Sequence, residues 1–175
     1  MKKLLTLILF FFIAIPLFLF SIRLLSREDN WICKQGEWVK HGEPNAPKPQ
    51  ESCPQPQAII NNQTIYLTIA QTAEEKTKGL SSRESMPEDQ GMIFLFDKPG
   101  KYSFWMKDML FNLDFIFLKN NQIVDTVSNV SYPKKGETPL AINSRADFDK
   151  VIELNQGFIE KFKIEIGNKI QLKNL

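Results

Sequence analysis

Leu113-Asp-Phe-Ile-Phe-Leu118, Lys119-Asn-Asn-Gln122 and Ile123-Val-Asp-Thr-Val-Ser-Asn-Val-Ser131 decide how this chain folds. Both outer segments are rich in branched and aromatic residues, and the four between them are turn formers, so the stretch reads as a β-hairpin. Upstream, Ile65, Leu67 and Ile69 alternate with Tyr66 and Thr68, the period of a strand. Thr72-Ala-Glu-Glu75 fits a capping box, with Thr72 as N-cap and Glu75 three residues on. The helix it opens is expected to stop near Gly79, where a missing Cβ suits a left-handed cap. Met92–Phe96 reads as a strand, Asp97–Gly100 as a turn and Tyr102–Lys107 as the returning partner.

Downstream, a loop of about 16 residues surrounds Pro133, Gly136 and Pro139, a length that belongs to functional or mobile loops. Lys150–Leu154 gives another strand, Asn155–Phe162 a short helix, and Lys169–Leu172 a closing strand. Many short strands with one or two short helices predict a mainly β domain over 58–175. The expected form is a β-rich barrel or jelly-roll-like sandwich, with no βαβ sheet.

Outside that domain the composition changes twice. Leu4–Ile22 is a 19-residue run without charge. As a helix it measures about 29 Å, close to the apolar thickness of a bilayer. No small-x-small cleavage site follows, so residues 1–27 read as an uncleaved signal anchor, a single transmembrane helix, with a cleaved signal peptide as the alternative. Lys2, Lys3, Arg23 and Arg27 all precede the first acid, Glu28. The charges flanking the run are nearly even, and the preferred orientation has the amino terminus cytoplasmic and the globular domain outside. The remaining 148 residues hold 18 basic and 20 acidic side chains, with no basic stripe of the kind that binds nucleic acid.

Residues 28–57 form a Pro-rich juxtamembrane linker, with Pro44, Pro47, Pro49, Pro54 and Pro56 close together. Cys33 and Cys53 bracket it. In an oxidising compartment they pair, closing a loop of about 20 residues at a gain of about 3 kcal/mol. Two free thiols, or a site combining Cys33, His41 and Cys53, are the alternatives. That set offers three ligands at spacings unlike a zinc finger, so neither metal nor cofactor is expected. Trp31 and Trp38 are expected to pack locally or to rest near the headgroups.

The domain also contains several motifs in order: Thr72-Ala-Glu-Glu-x-x-x-Gly79-Leu80-x-x-Arg83, Gly91-Met-Ile-Phe-Leu-Phe96, Phe104-Trp-Met-Lys107 and Leu113-Asp-Phe-Ile-Phe117. Val151-Ile-Glu-Leu-Asn-Gln-Gly157-Phe158 and Ile166-Gly-Asn-Lys-Ile170 close it. Over about 63–173 the chain resembles the bacterial and archaeal domain-of-unknown-function family 192. The resemblance implies a compact, mostly β domain, often exported, and brings no assigned activity. Against the family's pattern, this chain has Ser81 for Met, Asp108 for Asn and Asn112 for Pro.

The chemistry open to the domain is narrow. The single histidine, His41, and both cysteines lie in the linker, so imidazole-based triads and thiol nucleophiles are excluded from the fold. No phosphate-binding glycine loop is present. Glu75, Arg83, Trp105, Lys107, Asp108 and Asp114 remain, and Glu75 is accounted for by its cap. Strand alternation puts Trp105 and Lys107 on one face and Phe104 and Met106 on the other. If Trp105 is not core, Arg83, Trp105, Lys107 and Asp114 line a site for a small molecule or a glycan. That makes the chain a membrane-tethered, extracytoplasmic binding module. One alternative is a hydrolase of envelope glycans using Asp108 and Asp114 as its carboxylate pair. The other is a structural or assembly role. For Asp114, a salt bridge to Arg83 or Lys107 is the competing structural reading.

Overall fold

The computed structural model describes residues 30–34 and 36–175. The signal-anchor reading of Leu4–Ile22 lies outside them. Among the described residues no helix is long and apolar enough to cross a membrane. The chain divides into two compact units, one ending at Cys53 and the other spanning Pro54–Leu175.

In the first unit, β1 (Asn30–Lys34) and β2 (Glu37–His41) form an antiparallel hairpin. The indole N–H groups of Trp31 and Trp38 donate to the carbonyls of Ala46 and Glu51, each at 2.8 Å. These bonds fold the proline-rich stretch back onto the hairpin. Cys33 and Cys53 are joined as a disulfide across a Cα–Cα distance of 5.5 Å. With the two sulfurs bonded to each other, the alternatives of free thiols and of a metal site with His41 fall away.

The second unit is mainly β. Its strands are β3 (Gln57–Ile60), β4 (Gln63–Ala70), β5 (Gln90–Gly100), β6 (Ser103–Trp105), β7 (Leu113–Lys119), β8 (Gln122–Val130), β9 (Ala141–Asn143), β10 (Phe148–Asn155) and β11 (Gln171–Lys173). Two short helices, α1 (Ala73–Lys78) and α2 (Phe158–Lys161), complete it. Seven strands make one sheet in the order β11-β3-β4-β5-β10-β7-β8, while β6 and β9 form a separate ribbon.

The expected β7–β8 hairpin forms, and Asn120 and Asn121 take positive φ in its turn (51° and 61°). Asn61 and Asn62 do the same between β3 and β4. The capping box forms as read: Glu75 N–H donates to Thr72 Oγ1, and Glu75 Oε2 accepts from Thr72 N–H. Gly79 ends α1 with φ 48° and ψ −133°, a positive φ outside the left-handed helical basin.

Two pairings differ from the sequence reading. β4 and β5 run parallel with α1 between them, so the sheet does contain one βαβ unit. In addition, Tyr102–Lys107 does not return alongside Met92–Phe96. The chain stays extended through Asp97–Gly100, and β5 is flanked by β4 and β10 instead. Tyr102 then folds back, stacking on Phe96 at 4.0 Å, and β6 is released to pair with β9.

A single segment ties both edges of the sheet. Lys169 bridges to Gln122 of β8, and two residues later β11 pairs with β3 at the opposite edge. The sheet therefore curls into a half-barrel. Its central strands are buried on both faces, which is why β7 reads as a continuous apolar run. One face carries Met92, Phe94, Phe115, Phe117, Phe148 and Val151, and the β6–β9 ribbon packs there through Phe104 and Ile142. The other carries Ile65, Leu67, Ile93, Ile116, Ile152 and Leu154, with α2 contributing Phe158. Gly91 is required for this packing, because a Cβ there would lie 2.8 Å from the Glu153 carbonyl oxygen.

Candidate functional site

β6 is short, but its alternation sets up the most distinctive surface of the domain. Phe104 points inward and meets Phe94 edge-on at 5.1 Å, and Met106 is fully buried. Trp105 between them faces out and is 54% exposed, so it is not core. Lys107 lies on the same side, with Nζ 5.6 Å from the centre of the indole. The alternation expected for these four residues holds, and the reading of Trp105 as a core residue falls away.

The turn after Trp105 is held from below. Ser81 Oγ donates to the Lys107 carbonyl at 2.9 Å, and Ser82 N–H donates to that of Asp108 at 2.8 Å. Asp108 itself sits at φ 56°, a conformation that Asp and Asn tolerate better than most residues. Met109 is buried and Leu110 is half exposed.

The 131–140 loop forms the facing wall. Glu137 shapes it by accepting the Lys134 N–H at 2.8 Å and returning its own N–H to the Lys134 carbonyl. Asn112 fixes its base: Oδ1 accepts from Tyr132 N–H at 3.0 Å and Nδ2 donates to Gln156 Oε1 at 2.6 Å. Between the two walls runs a groove of about 930 Å³, lined by Trp105, Lys107, Asp108, Leu110, Tyr132, Lys134, Lys135 and the backbone around Gly136. That volume is near the top of the range of about 300–1,000 Å³ typical of ligand sites.

The groove gathers Trp105, Lys107 and Asp108 and leaves out two other sequence candidates. Arg83 is exposed but does not line it. Asp114 is fully buried on the isoleucine- and leucine-rich side of β7, where its two oxygens accept the N–H groups of Asn129 (2.8 Å) and Ile159 (2.9 Å). Asp114 therefore fixes β8 and α2 to β7 through backbone amides. Neither Arg83 nor Lys107 is bonded to it, so the expected salt bridge is absent.

Tyr132, Lys134 and Lys135 line the groove without a sequence signal of their own beyond the length of the loop that carries them. Two buried acids also lie outside the candidates read from the sequence. Asp125 is held by Arg145, which donates Nη2 at 2.5 Å and its backbone N–H at 2.6 Å, and by Ser144 Oγ at 3.3 Å. Burial pushes the Asp125 carboxyl up. The Arg145 side-chain hydrogen bond, the amides of Arg145 and Thr126 and the guanidinium charge outweigh this and hold it below the usual carboxylate range. Glu153 lies between Met92 and Phe115 in the sheet register, and burial raises its pKa to about 8. The strand Val151-Ile-Glu-Leu154 carried that signal as an acid inside an apolar run. A second depression, of about 690 Å³, lies at the end of β10 beside Asn155, Gln156 and the Lys161–Glu88 ion pair.

A mainly β half-barrel carrying an aromatic and basic groove defines the class. The chain belongs to the uncharacterised family DUF192, described as "Uncharacterized ACR", which it matches over residues 57–172. Its fold is similar to that of a crystal structure from Sinorhizobium meliloti 1021 whose description suggests a transcription regulator (24% identity, TM-score 0.59). That match covers 67% of this chain and 92% of the other. A protein of unknown function from Novosphingobium aromaticivorans is also similar (27% identity, TM-score 0.57), over 67% of this chain and 83% of its own length. No curated protein matches the chain.

Proposed function

We propose that this chain is a binding module for a small ligand or a cell-envelope component, carried outside the cell on its N-terminal apolar run. The observation that carries the reading is the groove. Trp105 and Tyr132, 54% and 44% exposed, lie in one concavity with Lys107, Lys134 and Lys135. Large aromatic surface left in water costs free energy, and an arrangement that supports it on a buried Phe104–Met106 base suits a ring-bearing partner. The Cys33–Cys53 pair supports the extracytoplasmic placement, because disulfides persist in oxidising compartments. The Pro-rich segment and the 19-residue apolar run support a tether at the membrane.

No observation favours the hydrolase reading, since Asp114, one of its two carboxylates, has both oxygens occupied by backbone amides. The test is intrinsic fluorescence of the full chain carrying Trp31→Phe and Trp38→Phe, which leaves Trp105 as the sole indole. Titration with sugars, nucleotides and envelope extracts should shift or quench its emission. Binding measured calorimetrically with no change at Trp105 would place the site elsewhere.

A further inference from the structure

We infer that the groove's ligand is an anionic glycan, a chain of sugar rings bearing carboxylate or phosphate groups. This rests on the reading of the groove as the binding site and names its substrate class.

Three features converge. First, the aromatic surfaces are set in a concavity. Trp105 and Tyr132 both line it and are 54% and 44% exposed, supplying aromatic surface of the kind on which the C–H face of a pyranose rests, and about 930 Å³ holds more than one ring. Second, three lysines line the groove against two carboxylates, and one of these, Glu137, is engaged by the Lys134 amide. Lys107 Nζ lies over the indole at 5.6 Å from its centre, and Lys134 and Lys135 line the same groove from the 131–140 loop, so an acidic substituent of a ring held there meets ammonium groups from both walls. Third, Asp108 stands among the lysines. A carboxylate there accepts hydrogen bonds from the hydroxyls that every sugar ring carries. A concave site presents its aromatic residues poorly to a flat membrane, where interfacial anchors must protrude. The surface thus favours a soluble or wall-borne polymer over a lipid headgroup.

The experiment uses the full chain in nanodiscs of uncharged phosphatidylcholine and measures Kd calorimetrically. The probes are oligogalacturonate, hyaluronate and phosphomannan oligomers, the neutral galactan and mannan oligomers, and separate vesicles containing phosphatidylglycerol. At least one anionic oligomer is expected to bind ten times or more tightly than its neutral counterpart. That binding should weaken tenfold or more in Trp105→Ala, and weaken with added salt less steeply in Lys134→Ala/Lys135→Ala than in the wild type. Trp105→Phe keeps an aromatic platform and should retain part of the affinity, which separates loss of stacking from loss of fold. Equal binding of neutral and anionic oligomers at Trp105 would overturn the charge assignment and leave the groove reading standing. Binding to the anionic vesicles alone would overturn the glycan in favour of a lipid surface. Binding of none of the probes, with Trp105 emission unchanged, would overturn both.

Discussion

Lys107 Nζ lies 5.6 Å from the centre of the Trp105 ring, while Trp105 remains more than half exposed. A cation over an exposed indole contributes about 0.5–1 kcal/mol, too little to explain why so large a side chain is kept in water. Trp105→Ala is therefore expected to change unfolding stability by less than about 1 kcal/mol in urea titration. A loss of several kcal/mol, as for a core aromatic, would mean that Trp105 holds the ribbon onto the sheet.

Asp125 and Arg145 form an unequal pair, because the aspartate is buried and the arginine side chain is 78% exposed. Asp125→Ala would strand the Arg145 and Thr126 amides and the Ser144 hydroxyl, at a cost of about 1–3 kcal/mol. Arg145→Ala leaves those amide bonds in place and removes only a solvent-screened partner, costing about 1 kcal/mol or less. Urea unfolding of the two variants should show that order. The Asp125 contribution is present above the usual carboxylate range and is lost as pH falls through its lowered pKa.

Glu153 works in the opposite direction. Its ordinary value is 4.5, and burial raises it to about 8 in the folded protein. Between those values the folded state holds a proton that the unfolded state has released, so stability falls as pH rises from 4.5 to 8. The slope approaches about 1.4 kcal/mol per pH unit. Glu153→Gln has no proton to lose and should flatten the profile. Its Tm should exceed that of the wild type at pH 8, with the gap closing towards pH 5. Parallel Tm profiles for the two proteins would show that Glu153 is solvated.

The disulfide belongs to the first unit alone. Reduction removes a constraint worth about 3 kcal/mol from that unit. Limited proteolysis under reducing conditions should speed cleavage within 34–52 and leave the fragment from Pro54 onward as resistant as before. Equal loss of resistance in both units would show that the second depends on the bridge.

Much of the domain was legible in the chain because its signals are local. The capping box at Thr72 and Glu75, the Asn120–Asn121 turn and the alternation through Phe104–Lys107 each rest on residues within a few positions of one another. Their geometry follows from backbone sterics and a handful of nearby hydrogen bonds. The same alternation named Trp105 and Lys107 as neighbours on one face.

Non-local contacts decided the rest. Asp97-Lys-Pro-Gly100 has the composition of a turn, yet it stays extended because Phe148 pairs opposite Gly100 and Tyr102 stacks back on Phe96. Asp114 and Asp108 look alike as acids beside apolar residues. Only packing separates them, giving one two amide donors from distant segments and leaving the other on a groove wall. The local pattern of the chain gives a strand-rich domain, its helix cap, its main hairpin and the shared face of Trp105 and Lys107, while the exposure of that face came from the fold. The tertiary structure alone decided that β4 and β5 run parallel and that the segment around Lys169 draws both sheet edges together. It also decided that the 131–140 loop stands opposite Trp105 to make a groove. The physical reason is that strand pairing and loop placement are fixed by hydrogen bonds and burial between residues far apart in the chain, where the local pattern carries no register.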